Sequence, residues 1–447
     1  MIPDRHLEAE IHAVGHEIAA AMPSRARHPI RALDERAMEL ASRDEELRAA
    51  LFRLVDVTPA CRSTEELASH LTGYLSTVSE RPAPIEAAMR TAHTRAGARA
   101  LGAAAAAGVR HMAHRFIVAE TPEKAVAVFA GLWRDGIASS VDLLGEATVT
   151  HDEADRYAER CAAALDALTK GAASWPERPR LERDPFGPLP RANLSVKASA
   201  LTPLMYPDAP EVGEEDAARR LRPLLRRARE ANAHLHVDME SLDTLDATSD
   251  LVFDLLAEPE FRTGPSTGVV LQAYLRESPE RLERILEWAA AGGRESPITV
   301  RLVKGAYWDH EVVEARAHGW PTPVFEDRAE CDRNFEALTD RLLEARGLVR
   351  TAVASHNMRS VAHAIVANRA QGGGDGDLEL QVLRGLGDDL GHALAALGLR
   401  VRAYCPVGDL VSGMAYLVRR LLENTANDSF LADRASGAAL EELLAAP

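Results

Sequence analysis

The sequence lacks a long hydrophobic run. Among its 447 residues, the longest uninterrupted apolar stretch, residues 100 to 109, is mostly Ala and Gly and lies between Arg99 and Arg110. That is about half the length that a membrane-spanning helix requires. The first residues also lack the basic head and apolar core of a secretory signal. We therefore expect a soluble, cytoplasmic protein.

The sequence also has few cysteines, and its net charge is negative rather than positive. The four cysteines, at positions 61, 161, 331 and 405, show no CxxC pair and no repeated spacing. This pattern is typical of free thiols in a reducing compartment rather than of a disulfide framework. The formal net charge of −16 disfavours nucleic acid and anionic lipid as general partners. Any bound anion must therefore be met by local basic residues.

The order of apolar patterns along the chain predicts a helical region followed by a barrel. Leu7, Ile11, Val14 and Ile18 recur at helical spacing, and Ala-rich stretches continue to about residue 128. From about Ile137, short runs rich in Val, Leu and Ala alternate with longer amphipathic segments, as in strands joined by crossover helices. Eight runs, the number that closes a parallel (βα)8 barrel, are present. They are Val141–Glu146, Leu194–Lys197, Leu235–Asp238, Gly268–Gln272, Thr299–Lys304, Thr351–His356, Leu378–Leu383 and Leu399–Tyr404.

Most of the predicted strands end in a polar or ionisable residue. The carboxyl ends of the strands are where such a barrel places its chemistry. A polar residue often marks the edge of a strand, so one alone would be structural, but seven together favour a functional site. The seven are Glu146, Lys197, Asp238, Gln272, Lys304, His356 and Tyr404.

The segment Arg301–Asp309 carries two cations, a glycine and two aromatic rings in nine residues. A packed strand alone would not require this mixture, whereas a planar cofactor with an electron-rich edge would explain it. Arg301 would stabilise negative charge gathering on such a ring, while Tyr307 and Trp308 would supply flat apolar surface.

A predicted helix near the end of the sequence, residues 414 to 424, carries Tyr416, Arg419 and Arg420 on one face. Two adjacent guanidinium groups in a pocket need an anion to offset their repulsion and desolvation. The carboxylate of a small substrate would serve, although a solvated surface helix would also explain the pair.

Three other motifs are weaker. The loop Gly385–Gly391 resembles a dinucleotide fingerprint, but its two adjacent Asp residues would face the pyrophosphate. Histidine pairs in residues 12–16 and 111–114 have spacings that could face one metal, but neither includes the Glu of a zinc-protease helix. Asp238 and Glu240 lie two residues apart at a strand end, where a glycosidase carboxylate pair is disfavoured. We expect no metal.

Five segments together resemble the flavin-dependent proline dehydrogenases, especially the dehydrogenase half of the bifunctional proline utilization A proteins. The resemblance runs from about Val141 to Phe430. It implies a distorted (βα)8, TIM-like α/β barrel at residues 129–435, preceded by an all-helical arm and domain at 1–128 and followed by a tail at 436–447. The ribbon-helix-helix start and the aldehyde dehydrogenase domain of the bifunctional enzymes are expected to be absent. The five segments are Leu194–Leu201, Arg301–Asp309, Ser355–Asn357, Tyr404–Gly408 and Tyr416–Asn424.

The resemblance implies an enzyme that oxidises L-proline to Δ1-pyrroline-5-carboxylate, the first step of proline catabolism to glutamate. It implies hydride transfer to noncovalently bound FAD, with electrons passed on to a quinone. It also implies transient contact with the inner face of a membrane and a pyrroline-5-carboxylate (glutamate-semialdehyde) dehydrogenase partner. Rival hypotheses are a nicotinamide-dependent barrel that uses the loop Gly385–Gly391 and a non-catalytic interaction protein with its contact surface in residues 1–128.

The resemblance assigns roles to individual residues. The catalytic residues implied are Arg301, Asp238 and Lys197. The substrate-binding residues implied are Lys197, Tyr307, Leu383, Tyr404, Tyr416, Arg419, Arg420 and Glu146. The cofactor-binding residues implied are Asp238, Gln272, Arg301, Val303, Lys304, Gly305, Ala306, Trp308, Ser355, His356, Asn357, Gln381 and Glu423. Lys197 and the Arg pair would grip the substrate carboxylate, Asp238 would pair with Arg420, and Glu146 would hold Arg419 when substrate is absent.

Overall fold

The computed structural model describes residues 5–23, 45–81, 83–145, 148–409, 413 and 439–447. The chain divides into two compact units. One comprises Met1–Met22, Thr121–Val407 and Leu440–Pro447, and the other comprises Pro23–Glu120 and Gly408–Ala439.

The first unit is built around a closed barrel of eight parallel strands. Seven pairings join strands that are neighbours in the sequence order of the barrel. The eighth closes it, with Ile137 of the first strand opposite Val401 of the last. The predicted barrel is confirmed. The strands, numbered β1 to β8 in chain order, are Ile137–Leu143, Asn193–Lys197, His234–Asp238, Ser266–Gln272, Ile298–Val303, Val349–Ala354, Leu378–Leu383 and Val401–Val407.

The observed strand ends differ most from the predicted ones at the first and last strands, and Lys304 and His356 lie one and two residues beyond the observed ends of β5 and β6. β1 begins four residues earlier than predicted, because Gly136 takes a φ of +82° and turns the chain sharply out of the preceding helix. Gly398, with a φ of +87°, precedes β8 in the same way. Because β1 ends at Leu143, position 146 lies beyond it, and Tyr404 is the fourth residue of β8 rather than its last.

Helices cover the outside of the barrel, and side-chain caps fix where several begin. The Thr150 side chain accepts a hydrogen bond from the Glu153 amide, and the Glu153 carboxylate accepts one from the Thr150 amide. The α-helices described in this unit are Arg5–Ala21, Pro122–Arg134, His151–Ala172, Pro179–Glu182, Pro210–Glu230, Leu242–Ala257, Ser278–Ala290, Trp308–His318, Arg328–Glu344, Met358–Ala370, Asp388–Ala396 and Leu440–Leu443. An antiparallel pair of two-residue strands, Arg183–Asp184 and Gly187–Pro188, precedes β2.

Residues near both ends of the chain pack on the helix that follows β6. The guanidinium of Arg359, in that helix, binds the carboxylates of Glu8 and Glu336 at 2.5 to 3.2 Å and also donates to the carbonyl of Leu444. The Leu444 side chain is fully buried against Gly15, where an added Cβ would meet it at 2.4 Å. Arg359 therefore ties the first helix and the last to the barrel.

The second unit is helical in its described part, as the sequence predicted. Its core contains Leu47, Leu54, Leu67, Leu71 and Leu75. The described α-helices are Glu45–Val57, Thr64–Ser76, Ala83–Thr91 and Arg95–Phe116. None of the helices within the described ranges, in either unit, combines the length and apolar character that crossing a bilayer requires.

Candidate active site

Arg301 lies among inward-facing polar side chains of the barrel. It is the fourth residue of β5 and is 4% exposed. Its Nη1 donates to Asp238 Oδ1 at 2.7 Å, and contacts of 3.3 to 3.4 Å join the guanidinium to the hydroxyls of Ser140 and Ser195. The guanidinium carbon also lies 5.3 Å from the centroid of the Tyr404 ring. Contacts from four strands therefore hold this cation in one position.

Asp238, the last residue of β3, accepts from two side chains at once. Oδ1 accepts from Arg301, and Oδ2 accepts from the Tyr404 hydroxyl at 2.7 Å. Burial, together with the negative charges of Asp142 and Asp238, raises the pKa of Tyr404 well above its usual value. The phenol is therefore neutral at any physiological pH and acts as a donor to the carboxylate. The carboxylate of Asp238 thus supplies the counter-charge for Arg301 inside a low-dielectric interior.

Lys197, the last residue of β2, is paired with Asp142, a carboxylate that was not among the predicted site residues. Its Nζ lies 2.6 Å from Asp142 Oδ1, and both side chains are less than a tenth exposed. Asp142 is the sixth residue of β1, so it lies near the carboxyl end of the barrel. The predicted strand instead began at Val141, which put this residue at the wrong end. The sequence signal that could have found it is Gly136, which marks the true start of the strand.

Two buried polar atoms in this part of the barrel have no hydrogen-bond partner among the described residues, namely Gln272 Oε1 and Arg301 Nε. Gln272 is the last residue of β4, and its amide nitrogen donates to the carbonyl of Glu240 at 2.9 Å, which fixes the orientation of the amide. Unpaired buried polar atoms are costly, so a ligand with polar edges would be stabilised here. Both atoms belong to residues assigned to the cofactor by the resemblance, and they fit a planar group with hydrogen-bonding edges.

The segment after β5 approaches a neighbouring aromatic ring closely. Gly305 has a φ of +127°, and a Cβ there would lie 2.3 Å from the ring of Tyr274. Lys304 forms an ion pair with Asp332. Trp308, which begins the next helix, is partly exposed, and its indole nitrogen donates to the carbonyl of Phe325 at 2.9 Å. A side chain at position 305 would collide with this ring, so the close approach of the backbone requires glycine.

The segment after β6 is held to the segment after β7 through His356. Nε2 of His356 accepts from the backbone amide of Leu383 at 2.9 Å. Asn357 caps the following helix, since its side-chain oxygen accepts from the amides of Arg359 and Ser360 at 2.9 and 3.4 Å. The Ser355 hydroxyl accepts from the Asn357 amide. The structure thus places His356, together with its neighbours Ser355 and Asn357, beside the backbone of Leu383.

Other predicted residues lie elsewhere or outside the described residues. Gln381 faces the interior, but its amide donates to Glu379, a residue near the start of β7. Val303 ends β5, and the next positions assigned to the site, Ala306 and Tyr307, lead into the helix that begins at Trp308. The predicted site residues outside the described residues are Glu146, Tyr416, Arg419, Arg420 and Glu423.

The weaker motifs show no second centre in the described part of the chain. In the loop Gly385–Gly391, the amide of Gly385 donates to Asp388 Oδ1 at 3.1 Å, so this carboxylate occupies a place that a phosphate would need. No cluster of three or more metal-ligating side chains occurs among the described residues. All four cysteines are free thiols. Burial raises the pKa of Cys405 and of Cys161 to about 12, so neither is a thiolate nucleophile.

A closed parallel barrel with fixed charges at the strand carboxyl ends is the architecture of a barrel enzyme. Comparison with known families agrees with this class. The family model described as "Proline dehydrogenase" matches residues 125–433, and the model described as "Proline utilization A N-terminal domain" matches residues 8–116. The chain belongs to the proline dehydrogenase family.

Named relatives and solved structures show the same likeness. The bifunctional protein PutA of Salmonella typhimurium is 32% identical over 76% of this chain and 25% of its own length. Proline dehydrogenase 1 of Bacillus subtilis is 27% identical over 73% of this chain and 92% of its own length. The crystal structure of proline utilization A from Bdellovibrio bacteriovorus inactivated by N-propargylglycine has a TM-score of 0.89 and 35% identity, covering 98% of this chain and 44% of that one. The chain therefore spans between a quarter and a half of these bifunctional proteins.

Proposed function

We propose that this chain oxidises L-proline to Δ1-pyrroline-5-carboxylate, with FAD as the electron acceptor. The observation that carries the proposal is the buried group of Arg301, Asp238 and Tyr404 near the strand carboxyl ends, within the segment that matches the family model. The relatives that are named proline dehydrogenases support the choice of substrate.

The cofactor site would be formed by residues that follow β4, β5, β6 and β7. When bound there, the flavin would supply the acceptor for a hydride from the ring carbon next to the proline nitrogen. Arg301, held by Asp238 at 2.7 Å, would place a fixed positive charge beside the ring edge that becomes electron-rich. The carbonyl oxygen of the Gln272 side chain would gain the partner that it otherwise lacks among the described residues. The residues proposed to contact the cofactor are Asp238, Gln272, Arg301, Val303, Lys304, Gly305, Ala306, Trp308, Ser355, His356, Asn357, Gln381 and Glu423.

The substrate carboxylate would be bound by Lys197 and by the Arg pair of residues 419 and 420. Asp142 supports this role, because it fixes the ammonium of Lys197 within the barrel. With the acid end anchored by three cations, the reacting carbon is held at one position and orientation, which lowers the entropic part of the barrier. Tyr307, Leu383, Tyr404 and Tyr416 would wall the pyrrolidine ring, and Glu146 would hold Arg419 before substrate arrives.

Anaerobic addition of L-proline to the FAD-loaded protein tests the proposed reaction. We expect the yellow flavin absorbance to bleach, because reduced flavin loses its visible bands. Bleaching by nicotinamide nucleotides instead, or no bleaching with a flavin-loaded protein, would contradict the proposal.

The Arg420→Met variant tests the proposed carboxylate site. We expect the KM for proline to rise by roughly thirtyfold or more, the effect of losing about 2 to 5 kcal/mol from a desolvated charge pair. Flavin content, measured by absorbance after denaturation, should be unchanged. The control is Arg226→Met, on a helix that covers the outside of the barrel, where the exposed arginine pairs with Glu260. Proline turnover that is equally undiminished in both variants would refute the assignment of Arg420.

The later fate of electrons and product belongs to the same proposal. A quinone would reoxidise the flavin during transient contact with the inner face of a membrane, and a pyrroline-5-carboxylate (glutamate-semialdehyde) dehydrogenase would take over the product. The bifunctional relatives support the second part, because they carry more than twice the length of this chain. We propose that residues 1–128, 129–435 and 436–447 serve as helical arm and domain, catalytic barrel and tail.

A further inference from the structure

A small cavity lies inside the amino-terminal end of the barrel. The space that the centre of a water-sized sphere can occupy in it is about 20 Å³. One water molecule needs about 10 to 15 Å³ by that measure. Thr299 lines the cavity one inward position before Arg301 on β5, so Arg301 lies between this cavity and the carboxyl end of the barrel. Gln381, which is also proposed to contact the cofactor, lines the cavity, but no other residue of the lining belongs to the proposed cofactor and substrate site.

The side chains around the cavity carry more positive than negative charge. Arg350, Arg400 and Arg402 line it, which gives three guanidinium groups. Asp184 binds Arg350, with Oδ2 at 2.5 Å from Nε, and Glu379 binds Arg402 through two hydrogen bonds of 2.8 and 3.0 Å. Three cations and two carboxylates leave an excess of one positive charge (3 − 2 = 1) among the described residues.

With Arg350 paired to Asp184 and Arg402 paired to Glu379, Arg400 is the guanidinium group that remains. It is 3% exposed, its Nη1 donates to the carbonyl of Arg183 at 3.5 Å, and its Nε makes no hydrogen bond among the described residues. The nearest carboxylate oxygen to that atom, Glu379 Oε2, is 3.9 Å away, beyond hydrogen-bond distance. A buried cation whose carboxylate partner is this distant and is shared with Arg402 is costly, because desolvation is only partly offset by opposite charge. An anion in the cavity would remove that cost.

A second unpaired group, His236 Nε2, also belongs to the lining of the cavity. Burial and neighbouring arginines lower the pKa of His234 and His236 well below the usual value, so both rings are neutral. Hydrogen-bond contacts join Ser266 to His234 at 2.9 Å and His234 to His236 at 3.1 Å. If each group in this series donates to the next, the ring hydrogen of His236 is on Nε2. An anion in the cavity would select that tautomer.

Glu379 also lines the cavity, and its negative charge must be weighed against an anion. Oε1 accepts from Arg402 Nε at 2.8 Å and from the Gln381 amide at 2.7 Å, and Oε2 accepts from Arg402 Nη2. The charge of Glu379 is thus largely balanced by Arg402. The positive excess at Arg400 remains.

We propose that this cavity binds a small monovalent inorganic anion, with chloride as the representative, between Arg400 and His236. A water molecule would satisfy the hydrogen-bonding groups but would leave the buried positive charge unbalanced. The anion stabilises the folded barrel and takes no part in proline oxidation.

Bromide is the probe that tests the proposal. In crystals of the holoenzyme grown in sodium bromide, we expect an anomalous scattering peak inside the cavity. In solution, the Tm of the holoenzyme should be about 1 to 3 °C higher in sodium bromide or chloride than in sodium gluconate at equal ionic strength and pH, because the anion binds only the folded state. Gluconate is too large for the cavity.

Variants separate this site from general salt effects. Arg400→Gln removes the excess charge and should abolish the halide-dependent Tm shift, whereas the exposed control Arg226→Gln should keep it. Flavin reduction by proline should be unchanged in both variants, so failure of this proposal is distinguishable from failure of the proposed enzyme activity. Equal Tm values in bromide and gluconate, or a cavity that contains water without an anomalous peak, would overturn the proposal. The bromide measurement on the wild-type protein decides the question even where Arg400→Gln fails to fold.

Discussion

Removing either partner of the Asp142–Lys197 pair is expected to destabilise the protein strongly, whereas removing both is not. The two charged atoms lie 2.6 Å apart, and both side chains are less than a tenth exposed. Asp142→Asn keeps the shape but leaves a buried ammonium without its carboxylate, and Lys197→Met leaves a buried carboxylate without its ammonium. Breaking a buried pair from one side costs about 3 to 5 kcal/mol. We expect each single variant to lose stability of that order.

The double variant, Asp142→Asn with Lys197→Met, lacks both charges of the pair, so neither charge is left buried without its partner. We expect it to be more stable than the sum of the two single losses predicts, with a coupling energy of at least about 2 kcal/mol. Urea unfolding of the FAD-loaded protein, followed by far-ultraviolet circular dichroism, measures all four corners of this cycle. Additive losses would refute the reasoning, because they would mean that the two side chains do not interact energetically.

The same cycle has a substrate readout. Asp142→Asn retains the ammonium that is proposed to grip the proline carboxylate, and the substrate would then supply the missing negative charge. Saturating proline under anaerobic conditions should therefore recover a larger part of the lost stability in Asp142→Asn than in Lys197→Met. Equal recovery in the two variants would argue that Lys197 does not meet the substrate carboxylate.

Three further outcomes are expected. Gly305→Ala should cost about 1 to 3 kcal/mol and weaken FAD retention, measured by flavin fluorescence in the filtrate, because a Cβ at a φ of +127° would strike the ring of Tyr274. Tyr404→Ser should raise kcat/KM for 4-hydroxyproline relative to proline about tenfold, since the bulk of the ring is proposed to exclude the hydroxyl group; an unchanged ratio would contradict this. Burial favours the protonated form of Glu379, but the charge and hydrogen bonds of Arg402 outweigh it and lower the pKa to about 2. The stability due to this carboxylate is thus present above the unfolded pKa of about 4.3 and is lost as the pH falls towards 2. Urea midpoints measured between pH 5 and pH 3 should fall more steeply in the wild type than in Glu379→Gln.

The barrel could be predicted because each of its strands has a recognisable local sequence pattern. Each strand is a short run rich in Val, Leu and Ala that is buried on both faces, and the runs alternate with amphipathic helices, so periodicity and spacing carry the information. The ends of the strands could be predicted less accurately than their existence. The start of β1 depends on the positive φ of Gly136, and a shift of four residues there moved Asp142 from the carboxyl end of the barrel to the predicted beginning of its strand.

The side-chain pairs inside the barrel could not be predicted from the sequence, for a different reason. Arg301 meets Asp238 across 63 positions of the chain, and Tyr404 meets Asp238 across 166. The apolar pattern shows which strands exist, but the stagger of the closed barrel decides which inward residues face one another. The resemblance to a known family supplied the residue set near the carboxyl ends, yet it contained neither Asp142 nor the arginines at the other end.

The polar interior of the barrel implies that its two ends act independently. Ser140, Ser195 and Arg301 form a hydrogen-bonded layer across the interior, with Asp238 and Tyr404 on the side of the strand carboxyl ends and Glu379 and Arg402 near the strand starts. A barrel interior filled by side chains is a packed core and not a channel, so a ligand near Arg400 cannot reach the proposed cofactor site without displacing this layer. A change at Arg400 should therefore alter stability without altering the proposed proline oxidation, and a change at the carboxyl ends should alter that activity without altering the proposed response to halide.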